Sequence, residues 1–568
     1  MNQNPSTIGR LSHAFVNLPT WSLLSLTGVI LGLAYPPNIL GSIFGGIGLV
    51  PLIIALERTT TWKQTLRWSY LSFLIFSAIT TWWVGSWQAN ADPFLMISCV
   101  LLILVHPFFF CLPMILYRAL RKRTSLPVAL TFLILLWTGG EYLHALTDAS
   151  YPWLTLGNTQ TYNFYYIQFI EYTGVWGLSF LMMIQNGVVA WLFLHSTNGE
   201  KTSSATQRKG VRIAFALLSA TLVLPYIHGA IVSGFASLPV KEPEITVTIV
   251  QPNQNPWDKW RKNDPIDHIE DNASLSFESL RSEVGRKTDI FLWAETAIPK
   301  PITHPDWRRD RDKLYRTLDS LGVVVMTGFP DYLVHASKED ASPSSRRDTL
   351  YNQKTGKTEV RYWDFYNSVG VFVPGKGLVD SYHKSQLVPF GERIPFVDLV
   401  PFLVDMLSWD VGISAWGKGN GPHAIDVPWG NRTVKSAGMV CFESVYPNMV
   451  RKFADDGAEF LTIVTNDGWY LGTPGPLQHE RFAILRAIET RRSIARAANT
   501  GISCFVTPEG EIFGETEEGE RTTSTGSIPL RSNKTLYVRW GDWLPILALI
   551  GAAALALYGI VQTKKSRE

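Results

Sequence analysis

Three short segments each place a reactive side chain at the end of an apolar run. FLWAETAIP ends one run at Glu295, YHKSQLVPFGE carries Lys384 and then Glu392, and GMVCFES sets Cys441 directly after another, with Glu443 two residues on. A thiol attacks as thiolate, so a cysteine nucleophile needs a proton acceptor and a positive neighbour. Glu295 can accept the proton. Lys384 can hold the thiolate and later the oxyanion of a tetrahedral intermediate, aided by a backbone N–H beside Cys441. A carboxylate is a weak base at neutral pH, so Glu295 must be partly desolvated to raise its pKa. Taken singly, each residue has a plainer reading: a buried cysteine is usually inert packing, a lysine near a strand end is usually solvated, and WAE can be a mere strand terminus. Cys504 in GISCFVT alternates with apolar neighbours and reads as core. A Cys/His constellation is the rival, yet His383 is the only histidine of this half that adjoins a motif.

The elements that must position these residues lie in the more polar half of the chain. Runs at 245–251, 289–293, 323–328, 368–373, 437–441, 460–465 and 501–506 read as strands, mostly continuous in hydrophobicity and therefore covered on both faces. Residues 479–498 read as a helix with an arginine-rich face. Strands interleaved with helices predict an α/β layered domain of roughly 290 residues. The polar stretch 334–361 reads as a surface excursion without catalytic signal.

Upstream the composition changes. Of 568 residues 46% are hydrophobic and 17% charged, against about 25% charged in an ordinary soluble domain. Apolar runs near 21–37, 41–56, 68–88, 93–117, 126–143, 174–195 and 211–235 approach or exceed the length needed to cross a bilayer, that at 41–56 being short and glycine-rich. Seven in succession before a polar half predict a membrane bundle, and the run at 543–561 adds an eighth span. Basic residues alternate between the connections: Arg10; then Arg58, Lys63 and Arg67; Arg118, Arg121, Lys122 and Arg123; Lys201, Arg208, Lys209 and Arg212; and Lys564, Lys565 and Arg567. The loops 37–40, 88–93 and 144–165 contain none. Lys and Arg near span ends are retained in the cytoplasm, which predicts cytoplasmic termini.

The expected division is a cytoplasmic segment 1–20, a seven-helix region 21–237, an external (periplasmic) domain 240–535, a last span 541–562 and a cytoplasmic tail 563–568. A cleaved signal peptide is not expected, because residues 2–17 are polar and the first apolar run is followed by more spans. A formal charge of +3 is too small to suggest a nucleic-acid partner. Four cysteines rule out a disulfide scaffold, and Cys99 and Cys111 sit inside apolar runs.

The order Glu in WAET, Lys in YHK and Cys in CFE resembles the Glu-Lys-Cys triad of the nitrilase superfamily. Seven spans, an external nitrilase-like domain and a final span, with YHKSQLVPFGERIP, CFES and TNDGWY followed by GPLQHERFAILRAIETRRSIARAANTG, are similar to the bacterial apolipoprotein N-acyltransferases. SYPWLTLGNTQ and TGVWGLSF extend the resemblance over nearly the whole chain. It implies a membrane α-helical bundle of about eight transmembrane helices with an external α/β nitrilase-like αββα sandwich. It makes Cys441 the acyl-accepting nucleophile, Glu295 the general base and Lys384 the oxyanion stabiliser. Glu392 would orient Lys384 and Glu295, and Glu443 would support the thiol. Trp260 in NPWDKW and Trp469 in NDGWY would flank the substrate entrance, core packing being the plainer reading of both. Gly468 and Tyr470 are modest variations, and the 334–361 excursion is long for the family.

The implied reaction is ping-pong acyl transfer in the bacterial inner membrane. A phospholipid donor, phosphatidylethanolamine by resemblance, acylates Cys441; the α-amine of a diacylglyceryl-cysteine at the N-terminus of an apolipoprotein then takes the acyl group. Such an enzyme must hold its thiol near the outer leaflet, because drawing acyl chains into water costs about 0.8 kcal/mol per CH₂. The apolar stretch 394–409 is either a core helix or a flap dipping into the interface through Phe396, Leu399, Phe402, Leu403, Met406 and Trp409. No metal or diffusible cofactor is expected, and one chain contains every part, so a monomer is expected. The rivals are a membrane-tethered amidase that passes its acyl group to water, and a non-catalytic lipid or lipoprotein carrier.

Overall fold

Proline and glycine decide where the apolar runs actually become helix. In the computed structural model, which describes residues 7–88, 93–197, 205–236, 242–259, 265–342, 345–352, 356–399 and 416–565, the run at 93–117 divides into Pro93–Val105 and Pro107–Arg121. Pro107 lacks the N–H that a continuous helix would use, and it suits the first position of a new one. The first run is helical only over Thr20–Gly32. The third, Trp62–Thr81, opens on Thr61, whose side chain accepts from Gln64 N at 3.2 Å, and gives way to a 3-10 turn at Trp82–Gly85. Five stretches among the described residues are long and apolar enough to cross a bilayer: Leu95–Arg121, Leu126–Ala145, Trp176–His195, Arg208–Gly234 and Trp543–Thr563. Thr20–Gly32 and Gly41–Leu56 are apolar but shorter.

The described residues of the other half form thirteen strands: β1 Glu244–Gln251, β2 Ile290–Trp293, β3 Val324–His335, β4 Arg346–Asn352, β5 Lys357–Val373, β6 Gly377–His383, β7 Ile425–Trp429, β8 Arg432–Val440, β9 Phe460–Thr465, β10 Ile494–Ala498, β11 Cys504–Val506, β12 Ile512–Phe513 and β13 Thr522–Pro529. One sheet runs β13-β1-β2-β3-β5-β4 with β6 beside β5, and the other runs β12-β11-β10-β9-β8-β7. β1, β2 and β3 pair in parallel, as do β8, β9 and β10. β2, β9 and β10 are buried along their whole length; β2 and β9 are correspondingly apolar without strict alternation, and β10 buries Arg496 within its run. The sheets meet through β1 on β10 and β5 on β8. Helices Pro265–Ser279 and Arg308–Leu321 cover one outer face, and Pro447–Asp455 and Pro474–Thr490 cover the other. The result is a helix–sheet–sheet–helix sandwich.

Two expectations change. The helix expected over 479–498 ends at Thr490, because Arg491 takes the left-handed conformation at φ 50°, and residues 494–498 form β10. Its arginines do not make a solvated face: Arg486, Arg492 and Arg496 are fully buried, each with carbonyl or carboxylate partners. The described residues of the excursion 334–361 form an antiparallel ribbon, the outer ends of β3 and β5 with β4 beside them. One apolar cluster continues from the membrane helices into the sandwich. Buried polar bonds fasten the two: Glu489 Oε1 accepts from Val175 N at 2.7 Å, and Gln478 Oε1 accepts from Trp153 Nε1 at 2.7 Å.

Candidate active site

Four residues of interest follow the carboxyl ends of strands, the edge at which layered sheets leave room for a ligand. Glu295 follows β2, Lys384 follows β6, Cys441 follows β8 and Asp467 follows β9. Two of these turns are left-handed at a residue with a side chain: Thr296 at φ 49° and Cys441 at φ 50°. Such positions persist only where surrounding contacts over-determine them. Behind the first, Gly328 passes so close that a Cβ there would lie 2.4 Å from Thr296 N.

Lys384 is fully buried, and its Nζ lies 2.8 Å from Glu392 and 4.0 Å from Glu295. Burial alone would discharge it, but Glu392 and then Glu295 outweigh that and hold its ammonium above the ordinary lysine value. Burial raises the pKa of Glu295, Lys384 opposes the rise and Glu392 adds to it. Asn367 Nδ2 donates to Glu295 at 2.7 Å and to Glu392 at 3.2 Å, bridging the two carboxylates. Val388 N fixes the other Glu392 oxygen at 2.8 Å.

Cys441 is partly exposed. Burial and the negative charge of Glu295 raise its pKa, with Lys384 opposing. The resting group is therefore the thiol, and attack requires that its proton leave as the sulfur bonds. Glu443, fully buried, accepts from Val440 N at 2.9 Å, Ser385 N at 2.8 Å, Gln386 N at 3.1 Å and Tyr382 Oη at 2.8 Å. It thus ties the backbone before the cysteine to the backbone after the lysine. Burial pushes its pKa up to about 7, against the pull of Lys384 and of these donors.

A cavity of about 480 Å³ joins these groups to the membrane half. Glu295, Asn367, Lys384, Glu392 and Cys441 line one part, and Trp83, Leu95, Tyr151 and Trp153, from the chain before residue 160, line another. Trp153 stacks on Phe442 at 6.3 Å between centroids, and Trp83 meets Tyr470 edge-on at 5.0 Å.

Trp469 lines the cavity and meets Trp257 edge-on at 4.6 Å; Ser86 Oγ donates to its carbonyl at 2.5 Å. Trp260, Phe402 and Trp409 lie outside the described residues. Phe396 is 42% exposed and Leu399 80% exposed, and neither belongs to the cavity wall.

Sequence reasoning missed Asn367, which has no motif around it. It also missed Lys259 and Trp257, although both stand in the NPWDKW segment that drew attention to Trp260. Lys259 is buried, donates to the Glu295 carbonyl at 3.2 Å and to Thr296 Oγ1 at 3.0 Å, and is lowered to about 7 by burial, partly offset by Glu295. The histidine that approaches Cys441 is His479 and not His383, which pairs with Asp331 at 2.8 Å.

Comparison with known proteins agrees with both halves. Residues 27–188 match the family described as apolipoprotein N-acyltransferase N-terminal domain, and residues 348–536 match the carbon-nitrogen hydrolase family. A protein of Chlorobaculum tepidum named apolipoprotein N-acyltransferase is 32% identical over 543 residues, 95% of this chain and 96% of its own. One of the same name from Geobacter metallireducens is 27% identical over 94% of this chain and 93% of its own. Among solved structures, a carbon-nitrogen hydrolase from Helicobacter pylori covers 53% of this chain and 94% of its own, at 15% identity and a TM-score of 0.36.

Proposed function

The chain belongs to the apolipoprotein N-acyltransferase family, and we propose that it works through a thioester on Cys441. It is a membrane acyltransferase of lipoprotein biosynthesis with a carbon-nitrogen hydrolase domain. In the first half-reaction Cys441 Sγ attacks the ester carbonyl of a phospholipid while Glu295 takes the thiol proton. Lys384 stabilises the oxyanion. When the C–O bond breaks, Glu295 returns the proton to the departing alcohol of the lysophospholipid. In the second, the α-amine of a diacylglyceryl-cysteine attacks the thioester, Glu295 accepts the proton from the forming amide nitrogen, and the thiol is regenerated.

The observation that carries this reading is the shared cavity: one wall holds the charged groups and the thiol, and the other is an aromatic surface continuous with the membrane helices. Lys384 Nζ lies 2.8 Å from both Glu392 oxygens, and with three N–H donors the ammonium still has one for the reacting oxygen. Asn367 and Glu392 keep Glu295 in place, and Glu443 keeps the cysteine and lysine segments together. Phosphatidylethanolamine is the proposed donor, on family resemblance. Eight crossings, cytoplasmic termini, a periplasmic sandwich and a monomeric state complete the proposal; the loop holding Trp260 and the segment holding Phe396, Phe402 and Trp409 would border the lipid entrance.

Mass spectrometry of the purified enzyme with phospholipid tests the route. An acyl adduct on Cys441, discharged by an apolipoprotein peptide, is expected. Turnover without that adduct would sink the thioester. Release of free fatty acid in place of acylated peptide would instead indicate the amidase-like reaction, and full function in Cys441→Ala would indicate a carrier.

A further inference from the structure

The turn that holds Cys441 is braced from behind by a buried chain of polar groups drawn from three elements. The Cys441 carbonyl accepts from Ser444 Oγ at 2.9 Å and faces His479 Nε2 at 3.1 Å. On the far side of the ring, His479 Nδ1 lies 3.0 Å from Asp467 Oδ1, and Asp467 Oδ2 takes Arg496 Nη2 at 2.5 Å. His479 comes from the 474–490 helix, Asp467 from the turn after β9 and Arg496 from β10, and all three are buried. Nε2 also lies 2.9 Å from Ser444 Oγ, and Arg496 Nη2 lies 3.2 Å from Nδ1, where Nδ1 can accept; a carbonyl oxygen can only accept, so a hydrogen bond at the 3.1 Å contact uses the tautomer with the proton on Nε2. Cys441, Asp467 and His479 also place one donor atom each within 4.8 Å of one another, as a metal site would. Both Asp467 oxygens are committed, however, and the Arg496 guanidinium beside them opposes a cation.

A trans peptide points its carbonyl and its N–H in opposite directions. A Cys441 carbonyl fixed against His479 therefore sends the Phe442 N–H the other way. Phe442 stands in the first turn of the 3-10 segment Cys441–Val445, where N–H groups have no partner within the turn, and it lines the cavity.

We propose that His479, held by Asp467 and Arg496, is a positioning residue of the acyl transfer: by donating Nε2–H to the Cys441 carbonyl it fixes the 441–442 peptide plane and aims the Phe442 N–H at the developing oxyanion. The inference rests on Cys441 being the nucleophile. It separates a role in the reaction from mere packing, because a fixed peptide plane matters to the transition state and not to lipid binding.

The test uses the full-length enzyme in phospholipid micelles, with acylation of Cys441 followed by quenching and mass spectrometry. His479→Phe, which removes the donor, should lower kcat on the order of 10²-fold and leave KM for the donor lipid within about twofold. His479→Gln can place an amide N–H near the Nε2 position, whereas His479→Asn reaches only toward Asp467. The Gln variant should therefore acylate at least about tenfold faster than the Asn variant. Equal rates for Gln and Asn, or a loss confined to KM, would overturn the proposal even if the Phe variant does not fold. Cys441→Ala is run alongside. Turnover there would remove the nucleophile reading itself, while an inactive Cys441→Ala beside indifferent His479 variants would remove only this inference.

Discussion

Lys384 has two carboxylates within reach and is bonded to only one of them. Glu392 takes the short contact and Glu295 stands at 4.0 Å, so the lysine is anchored by one acid while the other stays available as a base. The charge of Glu392 also helps to hold the pKa of Glu295 up. A base must be deprotonated to work, so activity should rise with pH through the raised pKa of Glu295, placing the acid limb of kcat above the ordinary glutamate value. Glu392→Gln removes a neighbouring negative charge, which should move that limb to lower pH and reduce kcat on the order of 10-fold to 100-fold. A pH–rate profile of the purified variant checks both, and a limb that stays put or moves upward would contradict the charge argument. The proposed triad of Glu295, Lys384 and Cys441 stands out in the sequence because strand ends and motif order mark it. Asn367 does not: its importance comes from the two carboxylates it bridges, 72 and 25 residues away.

The 474–490 helix lies between the second sheet and the membrane half, and its buried charges serve both neighbours. Arg486 and Glu489 pair at 2.7 Å with almost no exposure, and Glu489 also receives Val175 N from the membrane side. Removing one member of a buried pair strands the other, at a cost of about 3–5 kcal/mol. Glu489→Ala should accordingly lower the apparent melting temperature in detergent well beyond Glu489→Gln, which also loses the charge but keeps an acceptor for Val175; equal losses would mean that the acceptor is irrelevant and the stranded Arg486 sets the whole cost. The strands were legible in the sequence where burial goes with a mainly apolar run, as in β1, β2 and β9. β10 was not, because Arg496 interrupts its apolar run, and the residue that makes an arginine tolerable there, Asp467, lies on another strand's turn. The ribbon of β3, β4 and β5 hides for the opposite reason. It is a surface element whose polar and exposed residues imitate a loop.

At the scale of the whole molecule, two of the basic connections lie together. Glu57 pairs with Arg118 at 2.8 Å and Arg121 at 3.1 Å, and Lys122 donates to the Thr60 carbonyl at 2.5 Å, so two loops rich in Lys and Arg are bonded together. The sandwich instead meets the chain around Ser86, Ser150, Trp153 and Val175. This segregation supports the proposed orientation. In a Cys441→Ala background, a membrane-impermeant maleimide should label Lys338→Cys in spheroplasts and Lys63→Cys only after permeabilisation; the converse pattern would invert the topology. The cavity wall supplied by Trp83, Tyr151 and Trp153 also bears on fidelity. A thioester is open to water as well as to amines, and those rings cover the side of the thiol that the sandwich alone would leave wet. On the proposed thioester route, an excised sandwich, even if it folded, would keep its acid, base and nucleophile yet lose the choice of acceptor, and acyl groups destined for lipoproteins would leak away as soap.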